Sequence, residues 1–300
     1  RDPSKFVMLP GNARIRHPLV EKRLEDMSEW ACTQGFNRIE AGDGKLGIIT
    51  SGVAYQYARE VFPDADILKL GLVYPLPKQM IRDFAARFDT LYVIEELDPF
   101  IEEQVKAMGI NVIGKEKVPI CGELSPGRLR QAFDLNPPNL PPIKEDLPPR
   151  PPNMCPGCPH RGVFHALNRL KAYVTGDIGC YTLGSNLGVV DTVLDMGAGI
   201  TMASGFWNAY IQDDVKKPIV ATMGDSTFFH SGTTALINAV YNNARFVLVI
   251  LDNHITAMTG MQPSITQGDL VNGGKGNPVL LETIVKGCGV DYLKVVDPYD

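Results

Sequence analysis

Residues 218–256 read PIVATMGDSTFFHSGTTALINAVYNNARFVLVILDNHIT, and this run decides the fold. Residues 218–223 and 246–251 are short, almost wholly apolar and rich in valine and isoleucine, as strands buried on both faces of a parallel sheet are. Between them, residues 231–242 carry the mixed pattern of a helix. A strand, a helix and a strand in this order make a right-handed crossover between parallel strands. Asp225 and Asn253 then leave the same carboxyl edge of one sheet, where ligands of open α/β folds bind. A carboxylate, an amide oxygen and a backbone carbonyl at Ile255 are hard oxygen donors suited to Mg2+. A helix that starts after Ser226 aims free N–H groups at the same place. The combination reads as a clamp for a divalent cation and a diphosphate. The plain alternative is a Gly-Asp turn and a strand-end asparagine of any α/β protein.

The alternation continues on both sides. A glycine-rich run from Met196, MGAGITMASGF, opens a helix that packs closely on a strand or ligand, and residues 173–175 read as a further strand. Residues 137–152, PPNLPPIKEDLPPRPP, are too proline-rich for a helix or inner strand and read as a stiff linker. Upstream of it, strands are expected at 46–52, 66–70 and 90–94, and helices at 54–61, 78–88 and 99–108. The reading is therefore α/β with two parallel-sheet domains: 41–136, the linker at 137–152, and 153–300. Residues 1–40 read as a helical connector. The chain opens on Arg1 and shows no charged segment followed by an apolar one, as expected of the inside of a longer chain.

Composition narrows the function. With 44% apolar and 21% charged residues the chain is globular rather than disordered. A net charge of -5 with scattered cations gives no field for a nucleic acid backbone. No apolar run approaches the roughly 20 residues of a membrane span, so neither nucleic acid nor membrane is expected. Of six cysteines, Cys32, Cys121 and Cys288 are dispersed, while Cys155, Cys158 and Cys180 fall close together. That usage suits a reducing cytoplasm, with metal or catalytic roles.

The GDS segment at Gly224–Asp225–Ser226, followed after one crossover by Asn253, resembles the signature of thiamine-diphosphate enzymes. MCPGCPHR at 154–161, GDIGCYTLG at 176–184 and NHITAMTGMQPS at 253–264 move the resemblance to the 2-oxoacid:ferredoxin oxidoreductases, nearest the large subunit of the indolepyruvate branch. The similarity covers nearly the whole chain, with 41–136 resembling a transketolase C-terminal-type domain and 153–300 a diphosphate-type domain. It implies thiamine diphosphate held through Mg2+ on Asp225, Asn253 and the Ile255 carbonyl, with Gly224, Ser226, Thr256, Cys180 and Gly197 around the cofactor. It also implies oxidative decarboxylation of an aryl 2-oxoacid to the acyl-coenzyme A, electrons leaving for ferredoxin, a smaller partner subunit and an oligomer.

The activating glutamate is expected in an upstream domain, and [4Fe-4S] clusters in a segment beyond this chain. Cys155, Cys158 and Cys180 can ligate iron or zinc or simply line the pocket, since residues 295–300, VVDPYD, offer no fourth cysteine. His160 is a candidate to reach the substrate carboxylate or a phosphate, or it caps a turn. Weaker candidates are His230, His254 and Thr259 near the clamp; Glu95 and Glu96 read as strand-end acids. Two other readings stay open: a non-oxidative thiamine decarboxylase or synthase, and a non-catalytic α/β module with a zinc-bound cysteine cluster.

Overall fold

A computed structural model describes residues 1–136, 147–214 and 216–299. The chain divides into two compact units, Arg1–Glu145 and Asp146–Asp300.

The first unit begins with helices α1 (Pro3–Phe6) and α2 (Pro10–Ala31), followed by β1 (Arg38–Glu40), β2 (Gly47–Ser51), α3 (Ala54–Val61), β3 (Asp66–Leu70), α4 (Lys78–Ala85), β4 (Leu91–Ile94), α5 (Phe100–Ala107) and α6 (Pro126–Ala132). Strand order is β1-β3-β2-β4, with β2 parallel to both β3 and β4. Successive β2 residues face opposite ways, so Ile49 enters one core with Leu68, Phe84 and Val93, and Ile48 the other with Ala58, Ile67 and Leu129. Both faces are covered, which is why these strands read as unbroken apolar runs.

The expectation of a purely helical connector over 1–40 is corrected at its end. Arg38, Ile39 and Glu40 pair antiparallel with β3 and close one edge of the sheet. The helix expected over 78–88 also stops at Ala85, where the chain turns through Ala86 and Arg87.

Of the linker expected at 137–152, residues 137–146 lie outside the described residues, and 147–152 carry no regular structure. The second unit then runs α7 (His160–Leu170), β5 (Tyr173–Thr175), a 3-10 helix (Cys180–Leu187), α8 (Ala198–Gln212), β6 (Ile219–Gly224), α9 (Asp225–Thr227), a π turn (Phe228–Gly232), α10 (Thr233–Tyr241), β7 (Val247–Leu251), the short antiparallel pair β8 (Ile255–Thr256) and β9 (Gln262–Pro263), and α11 (Leu281–Gly287). β5, β6 and β7 form one parallel sheet. From Asp225 to Tyr241 the backbone stays right-handed helical, with the π turn as a one-turn widening in a single helix.

Candidate cofactor site

The register of the second sheet fixes the site. Gly224 pairs with Leu251, the last residues of β6 and β7. The segments that follow, Asp225–Ser226 and Asp252–Asn253, therefore leave the sheet side by side at its carboxyl edge. A side-chain bond ties them: Ser226 Oγ lies 2.7 Å from Thr256 Oγ1.

Asp225 is 1% exposed. Its side chain accepts one hydrogen bond among the described residues, from Thr266 Oγ1 to Oδ2 at 3.4 Å. A carboxylate so buried needs a paired charge or a metal to offset its lost hydration, so the donor set fits a divalent cation. Asn253 is exposed. Its Oδ1 accepts the Ile255 N–H at 3.2 Å, which shapes the strand-end turn and leaves a lone pair on the oxygen. His254, between them, has φ 59, a left-handed conformation uncommon away from glycine.

Gly224 is a glycine for a packing reason. A Cβ there would lie 2.6 Å from the Tyr181 ring, and one at Gly179 would lie 2.5 Å from it. Tyr181 is wedged between these two backbones, donates from Oη to the Ile178 carbonyl at 2.9 Å and lies 3.0 Å from Thr227 Oγ1. Burial pushes its phenol pKa up.

His160, the first residue of α7, is buried, with its ring centroid 6.4 Å from that of Tyr181. Burial depresses its imidazole pKa, while the Asp225 carboxylate pulls the other way, so His160 lies within the field of the clamp.

Gly197 stands at the start of a helix. Its N–H is taken by the Asp177 carboxylate, 2.9 Å from each oxygen, and it starts α8 at φ 104. Asp177 also accepts from Gly199 N at 3.1 Å and Ile178 N at 2.8 Å. The sequence reading missed this acid, although Gly176–Asp177 follows β5 just as Gly224–Asp225 follows β6. It also missed Tyr181 and Thr266.

Cys155 and Cys158 flank a tight turn, closed by the Cys158 N–H on the Cys155 carbonyl at 3.2 Å and gripped by Arg161 through the Met154 and Cys155 carbonyls. The Cys180 thiol is pushed up by burial and then by Cys158 and Cys155, so the three share a neighbourhood. Yet among the described residues no three His, Cys, Asp or Glu side chains are placed to hold a metal ion, and Cys155 is exposed.

His230 is exposed. Thr259 donates to Gln262 Oε1 at 2.6 Å in the β8–β9 turn. Glu95 accepts the Ile101 and Glu102 N–H groups and caps α5, and Glu96 accepts from Leu124 N. No described helix is long and apolar enough to cross a membrane.

Residues 177–300 match the thiamine pyrophosphate enzyme C-terminal TPP binding domain. Over its whole length the chain is similar to indolepyruvate oxidoreductase subunits. It is 39% identical to indolepyruvate oxidoreductase subunit IorA of Archaeoglobus fulgidus and 38% identical to that of Thermococcus kodakarensis; each alignment covers 100% of this chain and 52% of the relative. The chain thus spans about half the length of the curated relatives it matches. Among solved structures, a 2-oxoglutarate:ferredoxin oxidoreductase from Magnetococcus marinus aligns with 46% of this chain and 52% of its own at 23% identity and a TM-score of 0.40, too distant to bear on the site.

Proposed function

We propose that this chain is the cofactor-holding part of the large subunit of a 2-oxoacid:ferredoxin oxidoreductase that converts an aryl 2-oxoacid, carbon dioxide leaving, to the acyl-coenzyme A and passes electrons to ferredoxin. A smaller partner subunit and an oligomer belong to this reading. The observation that carries it is the pairing of Gly224 with Leu251, which sets buried Asp225 beside the Asn253 loop.

Thiamine diphosphate, when bound, supplies the carbanion chemistry that no side chain offers. Asp225, the Asn253 amide oxygen and the Ile255 carbonyl hold its Mg2+; Ser226 and Thr256, bonded to each other, present hydroxyls to the diphosphate. Gly224 lets the backbone run against Tyr181. His160, whose charged form burial disfavours, would donate a hydrogen bond to the substrate carboxylate or a phosphate. Cys180 lines the pocket as a thiol.

The test uses the full-length large subunit with its partner. Reduction of ferredoxin that requires an aryl 2-oxoacid, coenzyme A, thiamine diphosphate and Mg2+ together is the expected result. Release of the free aldehyde without ferredoxin reduction points to a non-oxidative decarboxylase instead.

A further inference from the structure

We infer that Thr266 is a positioning residue for the cation held by Asp225, and that it couples the folding of the loop after β9 to cation binding. The inference rests on the reading of Asp225 as a Mg2+ ligand.

Three segments meet at one hydroxyl. Thr266 Oγ1 donates to Asp225 Oδ2 at 3.4 Å and lies 3.0 Å from His254 Nδ1. A threonine hydroxyl has one hydrogen. With that hydrogen on the carboxylate, the Thr266 oxygen can accept from His254 Nδ1, whose hydrogen also faces Asp252 Oδ1 at 3.2 Å. Thr266 then gives Asp225 Oδ2 a neutral donor, which orients the carboxylate without adding charge to the site. The 3.4 Å separation is long for O–H···O, and bonds around a binding site tighten in the complex.

A second observation points the same way. His254 stands between Asn253 and Ile255 with its backbone left-handed at φ 59, a strained state that persists only where the surroundings impose it. Here they do: its N–H donates to Asp252 Oδ1 at 3.1 Å, its carbonyl accepts from Ser264 N at 3.3 Å, and its ring is held by Thr266. Ser264 and Thr266 both follow β9, so the loop that returns from the hairpin fixes the residue between two proposed ligands. Among the described residues, the buried Ser264 hydroxyl in the same turn has no hydrogen-bond partner.

The experiment compares wild type, Thr266→Val, Thr266→Ser and His254→Gly in the full-length subunit with its partner. Thiamine diphosphate binding is followed by calorimetry across a Mg2+ series, with tryptic cleavage at Lys275 as a report on the loop. Outer-shell partners of metal ligands typically govern affinity by 10–100-fold. Thr266→Val should therefore raise the Mg2+ requirement about tenfold, with unliganded melting unchanged and no ligand protection of Lys275. Thr266→Ser should stay within about twofold of wild type. His254→Gly removes the ring and tolerates the left-handed backbone and should fall with the valine variant; it carries the test if Thr266→Val does not fold. A wild-type Mg2+ dependence in Thr266→Val, or in His254→Gly when that variant stands in, overturns the inference while leaving Asp225 as ligand intact. Failure of wild type to bind the cofactor overturns the reading of Asp225 itself.

Discussion

Two single residues show how little room the site has. Replacing Gly224 by alanine puts a methyl group 2.6 Å from a Tyr181 ring that its bonds to Ile178 and Thr227 hold in place. Overpacking of this kind costs about 1–3 kcal/mol, so Gly224→Ala should unfold at lower urea with an unchanged slope. His160 makes a prediction in pH. Burial depresses its folded pKa below the ordinary value of 6.5, so the unfolded chain takes up a proton first as the solution is acidified. Its share of stability is complete above about pH 6.5 and is lost as pH falls toward the folded value. His160→Gln should therefore lose less stability than wild type between pH 7.5 and 5.5 in urea titrations; parallel losses would show that the imidazole is not the group responsible.

At the scale of elements, Asp177 gathers the Ile178, Gly197 and Gly199 N–H groups on one buried carboxylate and so fixes where α8 begins. Asp177→Ala should leave those donors unpaired, cost about 3 kcal/mol or more, and speed amide exchange at Gly197 and Gly199 well beyond that of the β6 strand. Equal exchange at both places would refute this. Elements of this kind also mark how far the sequence can be read. Asp66–Leu70, Ala54–Val61 and Tyr173–Thr175 appear at the residues expected, because burial and flanking turns leave local pattern in control. β1 does not, because Arg38, Ile39 and Glu40 carry one apolar side chain and owe their extension to β3, far along the chain. The π turn leaves no trace in side-chain pattern, since it is a backbone adjustment around Phe228–Gly232. At the site, the Gly-Asp-Ser turn and the strand-end asparagine were legible from spacing. Asp177, Tyr181 and Thr266 were not singled out: each acts through a backbone group or a loop whose position only the folded sheet determines.

For the whole molecule, the chain spans about half the length of its curated relatives, so the proposed activity is a matter for the full-length subunit, and the proposed cation grip a matter for the residues of this chain. The six thiols follow the same division. They remain free here, with Cys155, Cys158 and Cys180 gathered but not set to ligate metal among the described residues, so iron found in the complete enzyme should survive replacement of Cys155 by serine. Metal analysis of that variant checks the point, and loss of iron would contradict it. The central claim is that Asp225 grips the cation that holds the diphosphate. Calorimetry of the full-length subunit with thiamine diphosphate and Mg2+ tests it most directly. Wild type should bind saturably and only with the cation, and Asp225→Asn, melting as wild type does, should weaken binding by about a hundredfold or more. Binding by Asp225→Asn as tight as wild type would contradict the account.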